Sequence, residues 1–142
     1  MYCTVTQLQG RFSEQELIAL TDKDGSTGAL VLDVAEQAIK DASSTIDGYL
    51  GGRYALPLRN VPTILERICC DLSRYYLYDD TLGEEHQAAK RYVDAVKYLE
   101  QVGRGQVQLG LSDTQTKPEQ TNSAEMMSAG SVFGRDSAKG FI

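Results

Sequence analysis

The residues of this sequence that could do chemistry are three cysteines, one histidine and several short acidic groups. Cys3, Cys69 and Cys70 are an odd number of thiols, at spacings that match neither a disulfide framework nor a zinc motif. Only His86 could serve a cysteine nucleophile as a base, and no second histidine stands at metal-ligand spacing from it. The thiols are therefore expected to pack as small apolar residues, with one of the adjacent pair facing the core.

One acidic loop resembles a calcium site in part of its register. Asp22, Asp24, Ser26 and Asp33 occupy positions one, three, five and twelve of such a loop. The register fails at position six, where Thr27 replaces the glycine that the sharp turn needs, and position twelve is Asp rather than the longer Glu. We interpret this segment as a solvated loop with Asp33 near a helix start. No glycine-rich phosphate-binding motif is present either, so we expect no catalytic, metal or cofactor site.

Length and charge restrict the class of protein further. The chain has 142 residues, of which 42% are hydrophobic, and this predicts one domain, possibly with an appendage. The net charge is −6, with 20 acidic and 14 basic residues, which argues against a protein that grips nucleic acid by neutralising phosphates. No run is long and apolar enough to span a membrane and no export signal is recognisable, so we expect a protein that stays in the cytoplasm where it is made.

The chain is organised around a central helix and the connector that follows it. Apolar residues recur with i, i+3, i+4 spacing over residues 35–50, which is the helical period. Gly51 and Gly52 are expected to end this helix in the left-handed conformation, before an extended connector. Pro62 has the fixed φ that suits the first turn of the next helix, which makes Val61 the predicted N-cap.

Shorter elements precede the central helix, and two longer ones flank the turn near residue 80. Thr6 is a candidate N-cap for a short helical turn, and Ser13 with Glu16 has the spacing of a capping box for a second short helix. Helical spacing continues over residues 64–78 and again over residues 89–99.

The last helix has predicted signals at both ends. Glu84 and Glu85 are interpreted as acids at its positive end, and Gly103 is its predicted C-cap. The sequence thus predicts an all-α fold: a small helical bundle with short N-terminal helices and an extended C-terminal arm. The core where the central helix meets the next one is expected to contain Ile46, Tyr49, Ile68 and Leu72.

Residues 104–142 differ in character from the predicted helical domain of residues 1–103. This segment has four basic and four acidic residues, so the charge of −6 lies entirely on the first 103 residues. Its middle is too polar to bury enough surface to fold alone, whereas both of its ends carry apolar residues. We therefore predict an arm that becomes ordered on assembly, against a neighbouring subunit or another partner.

The central stretch also carries a family resemblance. The run AIKDASSTIDGYLGGRYALPL, followed by NVP and later by CCDLSRYYLYDD, resembles the Mu-like phage gene-product-thirty-six family of virion proteins. The resemblance covers roughly residues 2 to 110. Members are small helical proteins grouped with the head–tail connector, or adaptor, proteins of tailed phages, so the resemblance implies a structural role rather than catalysis.

The resemblance implies particular partners for this protein. An adaptor of this kind would form a closed ring, twelve-fold if it matches the portal, between the portal protein and a tail-side neck or tail-terminator protein. DNA would pass through without specific binding, no membrane would be involved, and the ring would assemble in the host bacterial cytoplasm and end in the virion neck. The alternative is a small helical regulatory protein that binds one cytoplasmic partner as a monomer or dimer.

Large aromatic, apolar and arginine side chains are the natural candidates for an interface. Tyrosine provides contact area with few rotamers to freeze, although the same side chains could line the edge of a small core. Both interpretations stay open from the sequence. The interface candidates are Tyr49, Arg53, Tyr54, Tyr78, Phe133, Phe141 and Ile142.

Overall fold

The computed structural model describes residues 1–78 and 81–111, and within them the chain is helical and contains no strand. This confirms the predicted all-α class. The helices are α1 (Val5–Arg11), α2 (Glu14–Thr21), α3 (Leu32–Leu50), α4 (Thr63–Leu77) and α5 (Gln87–Gly103). Residues 112–142, which make up most of the arm predicted for residues 104–142 and include the candidates Phe133, Phe141 and Ile142, lie outside the described residues, as do Asp79 and Asp80.

Three longer helices form the body of the fold. α3 packs against α4 and α5, and α4 packs against α5, while α1 contacts both α3 and α4 and α2 contacts α3. One apolar core joins them all, because each helix turns a stripe of Leu, Ile or Ala inward. α1 and α2 have seven and eight residues and are too short to be stable alone, so their burial on the larger helices holds them in place.

The predicted core is confirmed at three of its four positions. Ile46 and Leu72 are fully buried and Ile68 is 3% exposed. Tyr49 is only half-buried, because the neighbouring Leu50 takes the inward position in the last turn of α3. One of the adjacent cysteines was predicted to face the core, and in the structure both Cys69 and Cys70 are fully buried, since α4 is covered by other helices on several sides.

Two helix starts differ from the sequence prediction. Thr4, not Thr6, caps α1: its side chain accepts from the Gln7 N–H, and the Gln7 side chain accepts from the Thr4 N–H. α4 begins at Thr63 with Pro62 itself as the N-cap, because the ψ of Pro62 is 147°, outside the helical range. The prediction that Ser13 caps α2 is confirmed, with its hydroxyl accepting from the Glu16 N–H at 3.1 Å.

The two long helices α3 and α5 also end differently from the prediction. Gly51 is right-handed with φ −60°, and neither it nor Gly52 has a positive φ, so the left-handed end predicted for α3 was wrong. At α5 the left-handed residue is Gly105, with φ 83°, rather than Gly103. The N–H of Gly105 bonds to the Val102 carbonyl and the next N–H bonds to the Gln101 carbonyl, which is the Schellman pattern.

Gly103 has another role. A Cβ at this position would lie 3.1 Å from the carbonyl oxygen of Tyr49, so the absence of a side chain lets α5 approach the end of α3 closely. Across the described ranges, 1–78 and 81–111, no helix has the length and apolar character that crossing a membrane requires.

Candidate interaction surfaces

Two of the predicted interface residues lie in the turn after α3: Arg53 binds the end of α5, and Tyr54 binds the segment that follows α5. Tyr54 is 3% exposed, and its hydroxyl accepts from the Leu109 backbone N–H at 3.2 Å. Nη1 of Arg53 donates to the Val102 carbonyl at 2.9 Å, one of the carbonyls near the C-terminus of α5. Both side chains therefore hold the bundle together, and Tyr54 is not accessible to a partner in this structure.

The other two described candidates are half-buried. The Tyr78 hydroxyl donates to the Glu16 carboxylate of α2, and its ring meets the edge of His86 at 5.2 Å between centroids. Burial, followed by this hydrogen bond, raises the pKa of Tyr78. Tyr49 lies in the last turn of α3 beside α5. The structure thus does not bring these candidates together into one exposed surface.

An aromatic groove that sequence reasoning missed lies between the end of α4 and the start of α5. The rings of Tyr75 and Tyr92 are stacked, with 4.0 Å between centroids and 14° between planes. Tyr76 meets both rings edge-on, and burial raises the pKa of Tyr92. Beside them Val93 is 48% exposed, in an open depression of about 590 Å³. Besides Val93 and the two stacked tyrosines, the groove is lined by Leu82, Glu84, Ala89, Lys90 and Asp94.

Sequence reasoning could not find this groove because its two stacked tyrosines come from different helices. One feature of the sequence could have indicated the groove. Val93 is an apolar residue next to Tyr92, on a face of α5 that is otherwise polar. Exposed apolar side chains next to half-buried tyrosines are the composition that protein–protein interfaces favour.

The outer face of α3 is acidic. Asp33, Glu36, Asp41 and Asp47 are exposed on this helix, and its one basic residue is Lys40, which gives the helix a net charge of −3. By contrast α5 carries Lys90, Arg91 and Lys97 against Asp94 and Glu100, a net charge of +1. Half of the net charge of −6 therefore lies on one helix, on the side of the bundle that faces solvent.

The loop after α2 uses its first aspartate to fold the backbone. Asp22 is 6% exposed, and its carboxylate accepts from the N–H groups of Thr27 and Gly28 at 2.7 to 3.3 Å. Asp24 caps the Ser26 N–H at 3.0 Å, and Asp33 lies in the first turn of α3. Asp22 and Asp24 therefore have backbone partners within the loop, and Asp33 lies near a helix start as predicted, but Asp22 is buried rather than solvated.

His86 and its neighbours also have a local role. Nδ1 of His86 accepts from the Ala88 N–H at 3.0 Å, which makes this histidine the N-cap of α5. Glu84 and Glu85 therefore precede the helix rather than occupy its first turn, and Glu85 pairs with Lys90 at 3.3 Å. Within the part of the chain that the structure describes, no three His, Cys, Asp or Glu side chains are grouped so that they could hold a metal ion.

A charged cluster joins the N-terminal helices to α4. The guanidinium of Arg74 binds Glu16 at 3.0 Å and lies over the Phe12 ring at 4.5 Å. Asp71 is 5% exposed, with Arg67 and Arg91 each at 3.9 Å. Burial raises the pKa of Asp71, and the nearby arginines oppose that shift. Asp71 and Arg74 at the centre of this cluster are buried, so we assign the cluster a structural role.

Comparison with known proteins gives a consistent set of relatives. Residues 2–128 match the protein family described as Bacteriophage Mu, Gp36. The Mu-like prophage FluMu protein gp36 of Haemophilus influenzae is 50% identical over 107 residues, covering 75% of this chain and 74% of that protein. Gene product J of Escherichia phage Mu is 40% identical over 142 residues and covers 99% of both chains.

Proposed function

The chain belongs to the Bacteriophage Mu Gp36 family, and from this premise we propose that it is a structural subunit of the phage neck. In this proposal it forms a closed ring, expected to hold twelve copies, between the portal protein and a tail-side neck or tail-terminator protein. DNA passes through the ring without being bound. The protein has no catalytic role and is carried in the virion.

The acidic outer face of α3 is the observation that best supports this role. A ring around DNA must let the duplex slide, and every lysine or arginine that pairs with a phosphate adds affinity through counterion release. A helix with a net charge of −3 repels phosphates instead. We therefore assign the α3 face to the axis of the ring, where it keeps the passage free of strong contacts.

The aromatic groove supports the assembly part of the proposal. Ring contacts are heterologous, so one face of each subunit must fit a different face of the next. The groove offers stacked tyrosines and an exposed valine on α4 and α5, whereas the acidic face lies on α3. In this proposal the groove is one side of the subunit–subunit contact, and the α3 face, which lines the axis, takes no part in that contact.

The test is to remove the protein from the phage that encodes it. Without a neck subunit, we expect DNA-filled heads and complete tails to accumulate separately, and the protein supplied in trans should restore joined particles. In parent particles the protein should be present in ring stoichiometry, and imaging should place it between portal and tail. The matched rescue control is a Leu72→Ala protein, which is expected to fold poorly because it opens a cavity in the core.

Two observations together would contradict the proposed role in the neck. Normal joined particles in the absence of the protein, with no copies in purified virions, would overturn the proposal. That outcome would favour the regulatory alternative, in which the purified protein stays a monomer or dimer and binds one partner in the infected cell.

A further inference from the structure

Cys3 and Cys69 are brought into direct contact in the core, although 66 positions separate them in the chain. Their sulfur atoms lie 3.1 Å apart, with the Cys3 thiol donating. Both thiols are free, and they are 4% and 0% exposed. Ser43 of α3 holds the pair from one side: its hydroxyl lies 3.7 Å from the Cys69 sulfur and accepts from the Tyr2 N–H at 3.3 Å.

We propose that Cys3 and Cys69 are a disulfide-forming site, which a small peroxide oxidises to an intramolecular cross-link between the N-terminal segment and α4. This site is independent of the proposed neck function, because it depends only on the contact between the two thiols. Cys70 is equally buried, and a hydrogen bond with its side chain also contributes to the raised pKa of Cys3, but the sulfur–sulfur contact of 3.1 Å is made by Cys69.

The electrostatics of the pair favour reaction at Cys69. The hydrogen bond from the Cys3 thiol lowers the pKa of Cys69 to about 7, and the same bond raises the pKa of Cys3. A thiolate is the nucleophilic form of cysteine, so Cys69 is the sulfur of the pair that we expect to attack the oxidant.

A small oxidant can reach Cys3 from a pocket at the N-terminus, and Cys69, which is fully buried and does not line that pocket, is in contact with Cys3. An open pocket of about 600 Å³ at the N-terminus has Cys3 in its wall, together with Met1, which is 71% exposed. Hydrogen peroxide is small enough to enter such a space, whereas a bulky thiol reagent is not expected to reach a fully buried sulfur. Peroxide is therefore the class of oxidant that we assign to this site.

The chemistry balances in two steps. The Cys69 thiolate attacks one oxygen of hydrogen peroxide, the O–O bond breaks, and the leaving hydroxide takes a proton to become water, which leaves a sulfenic acid on Cys69. The Cys3 sulfur then attacks the Cys69 sulfur, the S–O bond breaks, and the hydroxyl leaves with the Cys3 proton as a second water. Two thiols are oxidised to one disulfide, and one peroxide is reduced to two waters.

The redox conditions around the protein determine whether the Cys3–Cys69 disulfide forms. A reducing bacterial cytoplasm keeps both thiols reduced, so the cross-link forms only under oxidising conditions. It then ties α1, which is too short to hold its place without its packing, to the helix at the centre of the bundle.

The experiment uses the full chain, reduced and then freed of reductant, and treats it with hydrogen peroxide. Trypsin digestion without reduction should yield residues 1–11, which contain Cys3, linked to residues 68–74, which contain Cys69 and Cys70. The intact protein should lose two hydrogen atoms in mass and remain a monomer on a non-reducing gel. Its thermal midpoint should rise and return to the starting value with dithiothreitol, because a cross-link restricts the unfolded chain.

Single variants identify the pair. Cys3→Ala and Cys69→Ala should abolish the linked peptide, whereas Cys70→Ala, the matched control, should keep it at the parent rate. Cys3→Ala lies near the chain end, so it stays informative if Cys69→Ala folds poorly. The proposal is overturned if peroxide leaves three free thiols after denaturation, if Cys70→Ala is the variant that loses the link, or if the cross-link joins two chains.

Discussion

The hydroxyl of Tyr54 accepts a hydrogen bond from the Leu109 backbone N–H, and this bond joins the turn after α3 to the segment after α5. Leu109 is 9% exposed and packs on the core, so its amide has no water to replace a lost acceptor. We expect Tyr54→Phe to lower the free energy of unfolding by roughly 1–3 kcal/mol, the cost of a buried donor without a partner. Hydrogen exchange at the Leu109 amide should become faster.

Tyr98→Phe is the control for this prediction. Tyr98 is a half-buried tyrosine of α5 in the same part of the bundle, and burial raises its pKa, but its hydroxyl makes none of the hydrogen bonds found within residues 1–78 and 81–111. If both variants leave the Leu109 amide equally protected, the Tyr54 bond does not hold this segment.

The same leucine-to-alanine substitution should change the free energy of unfolding much more at a buried position of α4 than at an exposed position of α3. Leu72 is fully buried and Leu32 is 53% exposed. Leu72→Ala should lower the free energy of unfolding by roughly 2–5 kcal/mol, because it loses transfer energy and leaves a cavity. Leu32→Ala should change it by no more than about 0.5 kcal/mol. Urea unfolding measures both, and equal effects would show that this face of α4 is not the core.

The carboxylate of Glu16 holds the second helix on α4. It accepts from Nε of Arg74 at 3.0 Å and also from the Tyr78 hydroxyl, while Arg74 is 8% exposed. Glu16→Gln leaves the arginine charge poorly compensated in a buried place, so we expect a loss of about 1–3 kcal/mol in urea unfolding.

Glu14→Gln removes the same charge from the same helix terminus without touching Arg74. Glu14 is exposed in the first turn of α2, so its loss should cost only the interaction with the helix dipole, about 0.3–1 kcal/mol. A Glu14 variant as unstable as the Glu16 variant would count against the role given to the buried pair.

Asp71 predicts an unusual pH dependence of stability. Burial raises its pKa in the folded protein, so its contribution to stability is complete below its unfolded pKa of about 3.9 and is lost as the pH rises through the folded pKa. Asparagine stays neutral throughout. Relative to the parent protein, Asp71→Asn should therefore gain stability as the pH rises from about 3.9 to neutrality. Thermal unfolding over that range tests this, and a variant that instead loses stability towards neutral pH would contradict it.

The acidic face of α3 predicts the behaviour of an assembled ring towards DNA. Reversal of two charges on this face, Glu36→Lys with Asp41→Lys, should make rings retain linear duplex DNA with a steep dependence on salt. The control is Glu14→Lys with Glu100→Lys, which makes the same charge change on α2 and α5 and leaves the aromatic groove intact. Equal retention by both variants, or tight binding by the parent ring, would show that the α3 face does not line the passage.

The class of fold and the approximate positions of the long helices follow from the amino-acid sequence alone. Periodic apolar residues mark α3, α4 and α5 because a helix must turn one stripe inward, and this local pattern needs no knowledge of the partner helix. The Ser13 cap of α2 was equally readable, since the hydroxyl and the amide it binds are three residues apart. The pattern around residues 35–58 also identified the family, because it is long enough to be specific.

The roles of the polar and aromatic side chains depend instead on tertiary contacts between residues that are distant in the sequence. The sequence left open whether Tyr54 lies in an interface or at the edge of the core, and the structure buries it against Leu109, a partner 55 positions away. The aromatic groove depends on Tyr75 and Tyr92 meeting from two helices, and the thiol pair depends on Cys3 meeting Cys69 across 66 positions. Such contacts depend on the rotation and offset of packed helices, which no local period of the sequence specifies.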